Sequence, residues 1–142
     1  MWPWSSKKLP AAEALDDVVL GRLTFSDGGW NGRVSRNGCD LEVSIAGDLS
    51  GPVQLGRELL VAALERFEGL VEDAKGYLLK DLSPQDLAKG PYQFRPTGLW
   101  SGAAWQLAQR SVTLTLELER DEYALWRVEM GALGPLDSGR DS

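Results

Sequence analysis

Histidine is absent from the 142-residue chain. That removes the commonest general base near neutral pH and the commonest zinc ligand. Ser-His-Asp and Cys-His catalysis both need the imidazole and are excluded with it. Cysteine occurs once, at Cys39, so no intrachain disulfide forms, nothing points to an oxidising compartment, and a structural zinc has no ligand set. Long apolar runs are missing as well, so no helix is expected to span a membrane. Pro10 and Glu13 interrupt the stretch after Lys7-Lys8, so no leader-type apolar region follows those lysines. No Gly-x-x-x-x-Gly-Lys-Ser/Thr phosphate loop occurs. Finally, basic residues are few: 15 Lys and Arg stand against 21 Asp and Glu, giving a net charge of −6. Without a Lys/Arg cluster the chain lacks the counterion-release contribution that drives nucleic-acid binding, and it lacks the attraction to anionic lipid. The expectations are a cytoplasmic protein with no cofactor, no metal, no nucleic acid and no membrane, whose acidity favours a basic protein partner.

What is present reads as one ordinary globular domain. Hydrophobic residues make up 43% and charged residues 25%, enough apolar surface for a core without staples. Residues 1 to 17 are read as an arm, with Trp2 and Trp4 flanking Pro3; residues 18 to 136 form the domain; residues 137 to 142 form a Gly-rich polar tail expected to fray.

Residues 18 to 46 predict a three-stranded meander. Asp27-Gly28 and Asn37-Gly38 suit two-residue hairpin turns, which need positive φ. A turn at Asn37-Gly38 sets Val34 opposite Leu41, Gly32 opposite Val43 and Trp30 opposite Ile45. A turn at Asp27-Gly28 sets Phe25 opposite Trp30 and Leu23 opposite Gly32. All these residues fall on one face, so two independent turns agree on one apolar stripe. Residues 53 to 80 predict one long helix, with Pro52 in its first turn and Ser50 as N-cap, and an apolar stripe from Leu55 through Leu60, Leu64, Phe67, Val71 and Ala74 to Leu78. Gly69 and Gly76 weaken it. Ser83-Pro84 opens a short helical turn, residues 91 to 98 read as an irregular connection, Thr97 to Trp100 as a stretch that can begin a strand, and residues 101 to 109 as loop or bulged strand. Val112, Leu114, Leu116 and Leu118 alternate with polar residues as a strand. Tyr123 to Met130 is the next strand, with Ala124, Trp126, Val128 and Met130 inward, joined through a longer loop or a bulge. The fold class is therefore α+β: an antiparallel sheet of five to six strands with one long helix on one face.

No constellation carries obvious chemistry. Asp16-Asp17, Glu72-Asp73 and Asp121-Glu122 are sequence neighbours of the kind that solvated loops and helix faces carry, and the alternation turns Glu42, Glu117 and Glu129 outward. Cys39 shares a face with Leu41 and sits opposite Arg36; it reads as a small half-buried apolar residue, or as a thiol with a cation beside it. Six tryptophans are many for this length. Trp30 and Trp126 fall on inward faces, whereas Trp100 and Trp105 lie in irregular sequence, where tryptophan serves either as cover for a loop or as a binding anchor. The contact residues expected for a protein partner are Asp48, Trp100, Trp105, Glu119, Asp121 and Glu122. A polar outward sheet face, running from Arg22 and Thr24 to Arg127 and Glu129, is a second candidate surface. Two other classes stay open: an enzyme using carboxylates alone, and a structural subunit exposing an apolar patch around residues 91 to 105.

Val19-Leu20-Gly21-Arg22-Leu23-Thr24-Phe25 resembles the opening, and Leu125-Trp126-Arg127-Val128-Glu129 the closing strand, of small uncharacterised bacterial domains. Some of these belong among the immunity proteins that neutralise bacterial toxins. The resemblance implies a non-enzymatic cytosolic protein whose partner is a toxin, basic where it acts on nucleic acid. It transfers no site residue, because its motifs are structural.

Overall fold

A computed structural model of the chain describes residues 13–80, 82–88, 93–118 and 121–141. The meander has the expected register. Strands β2 (Gly21–Ser26), β3 (Gly29–Arg36) and β4 (Cys39–Asp48) pair antiparallel, with Phe25 opposite Trp30, Trp30 opposite Ile45, Gly32 opposite Val43 and Val34 opposite Leu41. Both turns take two consecutive positive φ values, 52° and 76° at Asp27-Gly28 and 50° and 77° at Asn37-Gly38, the conformation for which Asn-Gly and Asp-Gly are selected. Ala14–Asp17, read above as part of the arm, is strand β1 on the free edge of β2. The remainder of the arm, with Trp2 and Trp4, lies outside the described residues.

The sheet is larger than expected and is mixed. Among the described residues nine strands form one sheet: β1-β2-β3-β4 is followed in order by β6 (Phe94–Ser101), β7 (Val112–Leu118), β8 (Asp121–Gly131) and β9 (Gly134–Asp141), with β5 (Gly51–Pro52) paired to the end of β4. Strand β6 (Phe94–Ser101) lies parallel to β4, and all other pairs are antiparallel. A parallel neighbour needs a crossover, and the helical segment supplies it. The strand that Thr97 to Trp100 could begin starts earlier, at Phe94, within the stretch expected to be an irregular connection, and it lies in the interior of the sheet. Its one oddity is a register shift between Pro96 and Gly98, which fits a proline inside a ladder. Strand β7 (Val112–Leu118) and strand β8 (Asp121–Gly131) pair with the expected bulge, between Glu117 and Leu118. Strand β9 (Gly134–Asp141) continues the sheet through the segment expected to fray. Its Pro and Gly content masks it in the sequence, but an edge strand tolerates both.

The long helix is two helices, α1 (Gln54–Glu65) and α2 (Phe67–Lys80), separated at Arg66 with φ −115° and ψ 29°. Helix α1 lies against β4, β6 and β7, and α2 against β8 and β9. Unbroken, the two segments of 12 and 14 residues would make a rod roughly 40 Å long. The break lets each half follow its own part of a twisted sheet. The expected stripe is core, with Leu60, Leu64, Phe67, Leu70, Ala74 and Leu78 buried against Leu23, Trp30, Leu41, Ile45, Leu99, Leu114 and Val128. Ser50 is not the cap: α1 starts behind Val53 with no side-chain cap bond, and the Ser50 hydroxyl goes to Asp48. Helix α3 (Pro84–Ala88) begins at Pro84 as expected. Residues left ambiguous above form helix α4 (Ala104–Gln109). Among the described residues, no helix is long and apolar enough to cross a membrane.

Candidate functional site

Helices α1 and α2 cover one face of the sheet, and most of the opposite face is open. On it the expected outward residues come into register: Asn31 beside Ser44, Ser44 beside Trp100 and Trp100 beside Thr113 in one row; Arg33 beside Glu42, Glu42 beside Gly98 and Gly98 beside Thr115 in the next. They line a shallow groove of about 980 Å³ that runs from Arg22 and Thr24 on β2 to Leu125 on β8. Gly98 keeps its middle flat, because a Cβ there would lie 2.9 Å from both the Glu42 carbonyl oxygen and the Thr115 hydroxyl. Three ion pairs lie in and beside the groove: Arg33 to Glu42 at 2.9 Å, Arg95 to Glu117, and Arg22 to Asp16 at 3.7 Å, while Asp40 lines it as well.

One end of this face is closed by α4. The helix is too short to stand alone and is held by one glutamine. Gln106 is fully buried; its Oε1 accepts from the Ala103 N–H at 3.1 Å, and its Nε2 donates to the Trp100 carbonyl at 3.2 Å and to the Thr113 hydroxyl at 2.8 Å. The Ser101 hydroxyl donates to the Ser111 carbonyl at 2.9 Å. Beneath α4 lies Glu129. It is on the outward face, as the alternation requires, but it is not solvated: only 7% of it is exposed, and its two oxygens accept the hydroxyls of Ser111 and Thr113. Alternation assigns a side chain to a face and is silent about what later covers that face.

Trp105 projects from α4 with 51% of its surface exposed and meets Trp100 edge to face, ring centroids 5.8 Å apart. On its other side Trp105 walls a cleft of about 320 Å³ between α4 and β9, lined also by Gln109, Arg127, Glu129, Leu136 and Asp137. The tryptophan pair therefore stands where the groove and the cleft meet.

Of the expected contact residues, the described ones lie toward two ends of the sheet. Trp100 and Trp105 touch. Asp48 ends β4 at the same end of the sheet, because β4 and β6 run parallel and both finish there. Its carboxylate takes the Ser50 hydroxyl at 2.5 Å and the Ser50 N–H at 2.9 Å, which hold it below the usual carboxylate range, and its carbonyl accepts the Trp30 indole N–H at 2.8 Å. Asp121 begins β8 opposite Leu118, and Leu118 in turn pairs with Phe94. That places it about 20 Å along the strands from Trp100, at ~3.3 Å per residue. The side chains of Asp121 and Glu122, and Glu119 altogether, lie outside the described residues. Of the six, the structure thus brings together Trp100 and Trp105, with Asp48 at the same end of the sheet. Gln106, Leu136 and Asp137 were missed and the burial of Glu129, named above on the outward face, was not foreseen; the contact between α4 and the sheet brings them together. Cys39 sits opposite Arg36 as expected and packs on the core, while Arg36 Nη1 donates to the Ser35 carbonyl at 2.9 Å. Among the described residues, no group of three metal-ligating side chains is present.

No family model, curated protein or solved structure matches the chain.

Proposed function

We propose that the chain is a non-enzymatic protein-binding domain that takes a basic protein partner against the open face of its sheet. The observation that carries this reading is the Trp100–Trp105 pair at the junction of groove and cleft, on the face the helices leave uncovered. Tryptophan is the residue most enriched among interface anchors, where a large rigid ring is buried at small entropic cost. Around it the groove offers polar side chains already paired with one another, the composition of an interface rim. The net charge of −6 speeds encounter with a basic surface. Neutralisation of a basic toxin in the cytosol, as the resemblance implies, is the particular form of this reading.

The carboxylate-enzyme alternative is weaker. General acid-base work needs an oxygen free to exchange a proton with substrate, whereas both oxygens of Glu129 already hold hydroxyls. The structural-subunit alternative needs a broad apolar patch around residues 91 to 105; of the apolar residues described there, Phe94, Pro96 and Leu99 are buried, and the exposed surface is chiefly the Trp105 ring. The test is pairwise co-expression with the product of each adjacent reading frame, followed by purification in moderate salt. One stoichiometric partner, lost on Trp100→Ala or Trp105→Ala, is expected. A partner retained by both variants would remove the groove from the account, and a clean monomer with every product would remove protein binding.

A further inference from the structure

We propose that the free edge of β9 pairs antiparallel with the β9 of a second copy of this chain, about a two-fold axis at Ser138. This surface is the rim of the sheet, so its test stands apart from that of the open face.

The two edges of the sheet are finished differently. On one side β1 has only four residues, and Asp17 ties it to α1. On the other side β9 has eight residues, and among the described residues β8 is its one neighbour. Protected edges are short, bulged or rich in lysine. Strand β9 carries no lysine, and its proline and its bulge both fall at its start: Asp137 pairs with Glu129 and Pro135 with Met130, which leaves Leu136 as the extra residue. The Tyr77 hydroxyl donates to the Leu136 carbonyl at 3.5 Å, so that start is also engaged by α2. From Asp137 to Asp141 the ladder with β8 is regular, and alternate N–H and C=O groups of that stretch point away from β8. They are a template for another strand.

The charges of β9 discriminate among the registers of self-pairing. A two-fold axis through the sheet keeps each face on its own side, so opposed residues must lie an even number of positions apart. Centring on Asp137 opposes two aspartates, centring on Gly139 sets Asp137 against Asp141, and centring on Arg140 opposes two arginines; like charges so placed repel. Centring on Leu136 draws in the bulge and Pro135, which has no N–H. Centring on Ser138 sets Ser138 against Ser138, Leu136 against Arg140 and Asp137 against Gly139. That last pair is charge-complementary although Gly139 has no side chain. Arg127 is the neighbour of Gly139 on β8, and its Nη2 lies 2.7 Å from where a Gly139 Cβ would be, so the guanidinium reaches across β9 toward the free edge. One row on this face then runs from Arg127 over Gly139 to Asp137 of the second copy, and symmetry makes the contact twice. Each Asp137, whose neighbour on β8 is the carboxylate Glu129, gains a cation on its other side.

The test is sedimentation of the full chain over a concentration series, with engineered cysteines to read the register. A concentration-dependent dimer is expected. Asp137→Arg sets a cation against Arg127 of the second copy at both symmetric contacts and should weaken the dimer about tenfold. Within its own chain the same change faces Glu129 and makes an opposite-charge pair, so the fold is kept. Asp16→Arg, the same change of charge on the β1 edge, should leave the dimer as it is. In a Cys39→Ala background, Ser138→Cys should form an intermolecular disulfide on mild oxidation, because directly opposed Cα atoms stand about 5 Å apart. Arg140→Cys should not, because the two copies of that position would be about 13 Å apart. A monomer at every concentration overturns the proposal, as does a dimer that Asp137→Arg and Asp16→Arg weaken equally. A dimer that Ser138→Cys fails to link, or that Arg140→Cys links as readily, overturns the edge pairing at Ser138.

Discussion

Arg57 on α1 grips Asp17 at the end of β1 with two nitrogens, Nε at 2.5 Å from Oδ2 and Nη2 at 3.0 Å from Oδ1. The same carboxylate accepts the N–H groups of Val19 at 2.8 Å and Leu20 at 3.0 Å, so it also closes the turn into β2. One side chain thus ties the short edge strand to the helix layer. The Asp17 carboxyl is held far below the usual range, chiefly by the Arg57 hydrogen bond and further by the two backbone N–H groups, against the opposing effect of burial.

That depression sets a pH dependence. A carboxyl whose folded pKa lies below its unfolded value of about 4 stabilises the fold fully above pH ~4, and the contribution is lost as pH falls toward the folded pKa. Asp17→Asn should cost about 2 kcal/mol at pH 7, the usual worth of hydrogen bonds to a charged group. It should also flatten the acid limb of the stability curve. Urea denaturation at pH 7 and at pH 3 checks both. Equal losses at the two pH values would mean that the carboxylate charge is not what matters.

Glycines within the two large helices are predicted to behave oppositely. A Cβ on Gly56 would stand 2.6 Å from the Gly102 Cα and 3.2 Å from Ile45 Cγ2, so α1 touches the backbone of the loop that leads into α4. Gly102 has φ +102° and is itself fixed. Gly56→Ala gains helix propensity of about 1 kcal/mol but must push α1 off the sheet, and overpacking of this kind costs about 1–3 kcal/mol. Net destabilisation is expected. Gly69→Ala and Gly76→Ala meet nothing within 4 Å and should each stabilise by roughly 0.5–1 kcal/mol. Thermal melts of the three variants decide it.

These contrasts mark where sequence reasoning reaches. The meander was legible because Asp27-Gly28 and Asn37-Gly38 impose a turn geometry, and a turn geometry imposes a register. The core stripe from Leu60 to Leu78 was legible because periodicity reports burial. The break at Arg66 was not, since the apolar stripe continues through it and the glycines that looked like breakers lie elsewhere. Strand β9 exists because β8 offers it a ladder, not because its own residues favour extension. Helix α4 is shorter than two turns, too brief for a periodic signal, and with it the burial of Glu129 and the cleft were hidden. Trp100 and Trp105 were singled out on composition alone, and their contact came from tertiary packing.

The end of α4 carries a local penalty. Arg110 closes the helix in the left-handed region, φ 50° and ψ 57°, while its N–H bonds to the Leu107 carbonyl at 3.3 Å. Glycine adopts that conformation without the Cβ cost, and it is the usual residue there. Arg110 is exposed, so its side chain loses little packing when removed. Arg110→Gly is expected to raise stability by about 1 kcal/mol, near 4 °C in Tm for a domain of this size. A melt at unchanged or lower temperature would show that the arginine side chain contributes something the glycine cannot.

Gln106 should be the most sensitive position near the site. It is fully buried and makes three hydrogen bonds that together fasten α4 to β6 and β7. Gln106→Leu fills the space but leaves the Ala103 N–H and the Trp100 carbonyl without that partner. An unsatisfied buried polar group costs about 1–3 kcal/mol, so a loss of about 3 kcal/mol is expected. Gln109→Leu is the control: Gln109 is exposed and bonds only to the Ser111 hydroxyl at 3.1 Å, so its loss should stay under about 1 kcal/mol. The second consequence is on recognition. If α4 loosens, Trp105 leaves its edge contact with Trp100 and the cleft over Glu129 loses a wall. Gln106→Leu should therefore abolish capture of the partner protein by chain that remains folded by circular dichroism, whereas Gln109→Leu should leave it nearly intact. Capture retained by folded Gln106→Leu would mean that recognition does not depend on the anchoring of α4.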